Sequence, residues 1–129
     1  MKRKTAARPT DGELEILRVL WRLGPSTVRD VHEALSDGRG TGYTTTGKLL
    51  QIMAGKGLVE RDERDRAHVY RAAAAEEQTR RQLAGDLLDR AFDGSASAML
   101  LHALESRKAS REELQNIRRL LRNYERGEQ

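Results

Sequence analysis

Between Thr10 and Ala72 the chain carries three short helical stretches and then, without a linker, two β-prone stretches around a charged turn; this order leaves few folds open. Thr10 with Glu13 three residues later makes a capping-box pattern, and Leu14, Leu17, Leu20 and Trp21 follow at helical spacing to about Leu23. Gly24-Pro25 ends that run. Ser26 or Thr27 caps a second helix with Val28, Val31 and Leu35 on its apolar face. The glycine-rich SDGRGTG, residues 36–42, reads as a loop. A third helix starts near Thr44, runs to Lys56 and is closed by Gly57, which suits the left-handed C′ position. Leu58 and Val59 then begin a strand, RDERDR is too charged for a core and turns, and AHVYRA returns with the β-formers Val69 and Tyr70. Three helices and a hairpin in this order predict a winged helix-turn-helix, whose third helix lies in the major groove of DNA.

The third helix carries a second signal. From Gly38 through Val59 there is no acidic residue, in a chain with 20 Asp and Glu. At about 100° per residue, Thr46, Leu49, Leu50 and Met53 share one side of the helix, the expected core side. Thr44, Gly47, Lys48, Gln51 and Gly55 share the other. Carboxylates against a phosphate array repel it, so a groove-reading helix excludes them. Thr and Gln can hydrogen-bond base edges or phosphates, and Lys48 suits phosphate or guanine. Glycines on that face let a helix approach a backbone closely, at about 1 kcal/mol each relative to Ala. Thr44, Thr45, Gly47, Lys48 and Gln51 are therefore the candidate DNA contacts of this helix. The competing reading is a plain amphipathic helix that happens to lack acids.

Charge distribution points the same way. Residues 1–72 hold 14 Lys and Arg against 10 Asp and Glu, whereas residues 73–129 hold 10 of each, so the whole net charge of +4 sits in the first half. Basic charge gathered on one module is the footprint of a nucleic-acid binder; a solvated surface with a basic tail is the bland alternative. In the turn of the hairpin, Arg64 and Arg66 are candidate phosphate or minor-groove contacts and His68 a further one. Against this, Glu60, Asp62, Glu63 and Asp65 could pair with Arg61, Arg64 and Arg66 and leave a solvated turn.

The chain has no cysteine, which excludes disulfides, thiol nucleophiles and cysteine metal sites. His32, His68 and His102 have no ligand-like spacing, so no metal site is expected. Glu76-Glu77 and Glu112-Glu113 fall in first turns of helices, where the dipole favours them without any catalytic role. There is no phosphate loop, Ser-His-Asp order or nucleotide fingerprint, so neither an enzyme nor a cofactor is expected. No apolar run approaches the roughly 18 residues of a membrane span, and the basic start MKRKTAARPT lacks the apolar stretch of a secretory signal. A cytoplasmic location is the simplest expectation.

After Ala73 the chain is helical throughout. Helices are predicted over about 75–92, with Leu83, Leu87 and Leu88 on one face, and over 95–106, with Met99, Leu100, Leu101 and Leu104. Ser110 with Glu113 opens a last helix bearing Leu114, Ile117, Leu120, Leu121 and Tyr124 close to a heptad seam. Some 55 residues make a thin core alone, so pairing with a second copy is expected to bury these stripes. Leu100, Leu104, Ile117, Leu121 and Tyr124 are the residues expected to hold that dimer. The alternative is that the helices fold back on the winged domain. The predicted organisation is a disordered basic tail over 1–9, a winged-helix DNA-binding domain over 10–73 and a helical dimerisation domain over 74–129: mainly α, with a small β-hairpin wing.

Four blocks, DGELEILRVLWRLGPSTVRDVHEAL, YTTTGKLLQIMAGKGLV, the wing VYRA and DGSASAMLLHALE with the capped helix after it, resemble the penicillinase-repressor family of winged-helix repressors of β-lactamase and methicillin-resistance genes. The resemblance runs from about Thr10 to Tyr124 and rests on the spacing of the blocks. It implies a homodimeric repressor on a palindromic promoter operator, inactivated by a protease linked to a membrane metallopeptidase sensor. The family's cleavage position matches His102-Ala103, where those members carry Asn-Phe, and Ile52 stands where an Arg is common. A copper-responsive branch uses cysteine pairs, which this chain lacks. A winged-helix protein-interaction module without DNA binding is the alternative; the acid-free face of the third helix speaks against it.

Overall fold

In the computed structural model residues 8–35 and 42–127 are described. The first seven residues of the expected tail and residues 36–41 of the expected glycine-rich loop lie outside them. The elements run α1 (Asp11–Leu23), β1 (Ser26–Thr27), α2 (Val28–Leu35), α3 (Tyr43–Lys56), β2 (Val59–Asp62), β3 (Val69–Ala72), α4 (Glu76–Phe92), α5 (Ala96–Ser106) and α6 (Arg111–Glu125). Each predicted helix is present, with ends shifted by one residue at most.

The local chemistry behind the first module is visible at its caps. Thr10 accepts from the Glu13 amide at 3.2 Å while the Glu13 carboxylate accepts from the Thr10 amide at 2.9 Å, so the capping box of α1 is complete. Gly24 stops α1 at φ 86°, a conformation that strains any residue with a Cβ. Thr27 and Asp30 exchange the same pair of bonds, each at 3.1 Å, and start α2. Gly57 closes α3 in the left-handed region, as its position predicts.

One strand differs from expectation. Ser26 and Thr27, predicted only as caps, also form β1, and the hairpin becomes a three-stranded antiparallel sheet in the order β1-β3-β2. Ser26 faces Tyr70 and Thr27 faces Val69, while Val59 faces Ala72 on the other side of β3. Ser26 is buried, and its hydroxyl donates to the Gly24 carbonyl at 2.8 Å, which fixes the chain as it leaves the turn. Two residues are too few to show a period of two in a sequence.

The core lies where α1, α2 and α3 meet the sheet. Ile16, Leu17, Val19 and Leu20 of α1, Val31 of α2, Leu50 and Met53 of α3, and Leu58, Val59 and Tyr70 are its buried apolar residues. Leu14 is only half-buried, so the inner stripe of α1 is rotated toward Ile16 and Val19 relative to the predicted one. Trp21 packs against this cluster and donates its indole N–H to the Ala74 carbonyl at 2.9 Å. That bond carries the first module past its expected end at residue 73. The chain divides into two compact units between Leu83 and Ala84, inside α4, and Thr79 of α4 is buried within the first.

Among the described residues Glu13 is the one buried acid. It is 2% exposed, and both its carboxylate oxygens accept from Lys56 Nζ, at 2.9 and 2.8 Å, across 43 residues of chain. Burial alone raises the Glu13 carboxyl, but the Lys56 ammonium and the Thr10 amide outweigh it and hold the group below its usual range. The pair ties the start of α1 to the end of α3. A carboxyl with a depressed folded pKa contributes stability above its unfolded pKa, near 4.5, and loses it as pH falls through the folded value. Lys56→Met should lower stability at neutral pH by about 2–3 kcal/mol, because it leaves a buried carboxylate without its cation while Lys56 itself is partly exposed. The gap between wild type and variant should narrow as pH falls toward the depressed folded pKa of Glu13 in the wild type and close below it, as measured by urea unfolding across pH. A gap independent of pH would show that the pair contributes nothing through charge.

The second unit consists of the remainder of α4 with α5 and α6. Asp93 (φ 51°) and Gly94 (φ 81°) turn the chain after α4, and Ser95 caps α5 by accepting from the Ala98 amide at 3.1 Å. Ser110 caps α6 through the Glu113 amide at 3.0 Å. Neither α5 nor α6 buries a single residue completely. Among the described residues no helix is long and apolar enough to cross a membrane.

Candidate nucleic-acid interface

The third helix divides as its wheel predicts. Thr46, Leu50 and Met53 are fully buried, and Leu49 packs against the core from one side. Thr44, Thr45, Lys48, Gln51, Ile52 and Gly55 are exposed, and Gly47 is half-buried at the edge facing α2. All five predicted contacts of this helix therefore lie on or beside one solvent face. Its first turn has no acid.

The two glycines of that helix have no internal explanation. A Cβ added at Gly47 would meet only Val28 Cγ1, at an ordinary 3.7 Å, and one added at Gly55 would meet nothing within 4 Å. Neither has a positive φ. The fold thus accepts alanine at both, which helices favour by about 1 kcal/mol each. Glycine at these two sites suits something outside the chain that must come close to the helix.

Sequence reasoning missed a side-chain cluster beside the start of α3. Tyr43 opens the helix half-exposed, with its ring edge-on to His32 at 5.7 Å between centroids and the Arg29 guanidinium 5.9 Å from its centre. His32 Nδ1 lies 3.4 Å from the Thr46 hydroxyl, which donates to the Gly42 carbonyl at 3.3 Å. Arg29 stands in the first turn of α2, the helix that crosses the DNA backbone in such motifs. An aromatic residue directly ahead of three threonines was the only hint in the sequence.

The wing is arranged differently from the helix. Arg64 donates through Nε and Nη2 to both oxygens of Asp62, at 2.6 to 3.1 Å, and Asp62 also accepts from the Arg64 amide. The Arg64 guanidinium holds the Asp62 carboxyl down to about 2. Arg61 pairs with Glu63, and Arg71 with Glu60 at 2.6 Å across the strands. The competing reading of a self-paired turn therefore describes Arg64. Arg66 and His68 are exposed and stand outside these pairs.

The other predicted site residues fall in the second unit. Leu100, Leu104 and Ile117 line a groove between α5 and α6, while Leu121 and Tyr124 are 53% and 64% exposed further along α6. Leu101 and Leu120 add to the exposed apolar surface. His102 and Ala103 are exposed in the middle of α5, and the His102 ring lies 5.7 Å from that of Phe92.

Comparison with known proteins places this arrangement. A family model described as penicillinase repressor matches residues 9–123. The chain is 40% identical over 120 residues to the transcriptional regulator BlaI of Mycobacterium tuberculosis, covering 90% of this chain and 86% of that protein. It is 24% identical over 115 residues to the penicillinase repressor of Bacillus licheniformis, covering 89% of this chain and 90% of the other. In fold it matches the solution structure of the Bacillus licheniformis BlaI monomeric form in complex with the blaP half-operator, with TM-score 0.50, 24% identity, and coverage of 58% of this chain and 92% of that one.

Proposed function

Since this chain belongs to the penicillinase repressor family, we propose that it is a homodimeric transcriptional repressor occupying a palindromic promoter operator through two winged helices. The observation that carries this reading is the outer face of α3: exposed, acid-free, and bearing glycines at positions where the fold itself accepts a side chain. The named relatives, a transcriptional regulator and a repressor, support it.

In this reading each α3 enters a major groove, with Thr44, Thr45, Lys48 and Gln51 against base edges and phosphates. Gly47 and Gly55 let the helix sit deep. Arg29, beside Tyr43, takes a backbone phosphate where α2 crosses the strand. In the wing, Arg66 and His68 make the phosphate or minor-groove contact, and Arg64 joins only if DNA displaces Asp62. The second unit pairs two copies, so that both half-sites are held at once. The repressor works in the cytoplasm and needs no cofactor. A membrane metallopeptidase sensor is the proposed partner that ends repression, by cleavage at His102–Ala103. That bond lies in mid-helix, so α5 has to open locally before a protease can take it.

Binding to the operator should weaken steeply as salt rises, because each neutralised phosphate releases condensed counterions. Lys48→Ala should weaken binding by about 1–3 kcal/mol per half-site if the ammonium reads a base, and Arg29→Ala, which removes one phosphate contact from each protomer, should reduce the salt slope by about two. Fluorescence anisotropy on a promoter duplex between low and physiological salt measures both. A flat dependence of log affinity on log salt would remove DNA from the function and leave the protein-interaction module.

A further inference from the structure

Ile52 is an anomaly on the outer face of α3. It is 51% exposed, in a helix whose inner side already fills the core with Thr46, Leu50 and Met53. It stands four residues after Lys48 and seven after Thr45, so the three share one flank of the helix, and Gln51 adjoins it. Every other side chain exposed on this face is polar, and no arginine lies between Tyr43 and Lys56. A single exposed isoleucine on an ordinary surface requires no explanation. Here it projects from the face that the proposed function places against base pairs, where an apolar group either finds an apolar partner or buries bare polar edges without satisfying them.

The major groove offers only one such partner. Guanine presents N7 and O6 acceptors, cytosine an amino donor, adenine an acceptor and a donor; thymine alone adds an apolar group, its C5 methyl. Ile52 has no atom that can donate or accept a hydrogen bond, so among bases it can favour only that methyl. The neighbouring Gln51 carries the amide that pairs bidentately with adenine N6 and N7.

We propose that Ile52 reads the C5 methyl of one thymine in each operator half-site, so that this helix selects an A·T pair by apolar contact. This inference rests on the DNA-binding reading above. Removing one buried methyl-sized group costs about fourfold in affinity, and two half-sites in a palindrome compound to roughly sixteenfold if they act independently.

The test uses the full chain and a duplex selected by it from a random-sequence library. Each thymine of the half-site is replaced in turn by deoxyuridine, which removes the methyl and keeps pairing and charge. At one position, in both half-sites together, wild type should bind roughly sixteenfold more weakly. Ile52→Ala should bind the thymine and uracil duplexes equally, and Ile52→Val, which keeps the fold and shortens the side chain, should fall between. Undiminished binding to every uracil duplex overturns the proposal, as does a uracil penalty that survives in both Ile52→Ala and Ile52→Val, which would assign the methyl to another side chain such as Thr45. Selection of no sequence at all is the separate failure of the DNA-binding reading, and this inference falls with it.

Discussion

Thr44→Glu and Gln51→Glu should each abolish operator binding while the protein remains folded. Both side chains are exposed, neither contributes to the core, and both lie on the outer face of α3. A carboxylate there would face the phosphate array at close range, and like charges across an interface cost several kcal/mol. That is on the order of a thousandfold in affinity, and a dimer carries the charge twice. The substitutions also include their own control for folding. Thr44 is in the first turn of α3, which has no acid, so a glutamate there interacts favourably with the helix dipole, by about 0.3–1 kcal/mol. Thr44→Glu should therefore melt no earlier than wild type while losing the operator. Anisotropy titration and a thermal melt on the same preparation decide the matter; either variant binding as tightly as wild type would mean that another face of the molecule meets DNA.

The parts of this protein that could be read from sequence are those whose signals are local. Caps, stops and stripes are set by residues three or four apart, so Thr10 with Glu13, Gly57 and Ser110 mark real helix ends. The face of α3 was legible because a helix wheel needs only the helix itself. What escaped depends on partners far away in the chain. Glu13 looked like a capping residue and is also the buried half of an ion pair with Lys56. The first module was expected to end at residue 73, but no change of composition marks Leu83, and Trp21 reaching Ala74 is a contact no spacing rule contains. The cluster of Arg29, His32 and Tyr43 likewise joins two helices through space. In the wing, alternating signs of charge announced that pairs would form without saying which, and Arg64 with Asp62 is a choice made by the tight turn.

The same boundary shapes the second large expected effect. A chain ending at Leu83 should keep the winged module intact, be monomeric, and bind the operator roughly 10² to 10⁴ times more weakly than the full protein. The cut belongs after Leu83 and not after residue 73, because the Ala74 carbonyl holds Trp21 and Thr79 is buried in the first unit. A shorter piece would lose affinity by loosening its fold and would test nothing about assembly. The weakening follows from linkage: once one half-site is bound, a joined second module meets its own half-site at a high effective concentration, without any new contact. Such a dimer also fixes the two α3 helices about one helical turn apart, or a small multiple of it, at roughly 34–36 Å per turn. The surface available for pairing is the apolar seam of α6 with the α5–α6 groove; Leu120, Leu121 and Tyr124 are each more than half exposed in the single chain. Leu121→Glu with Tyr124→Glu in the full chain should reproduce the truncation, since charges in an apolar interface leave the winged module untouched. Sedimentation of the three proteins at micromolar concentration, alongside operator titrations, separates the cases. A monomeric wild type, or a truncated chain that binds as tightly as the whole, would take dimerisation out of the mechanism and leave repression to a single winged module on each half-site.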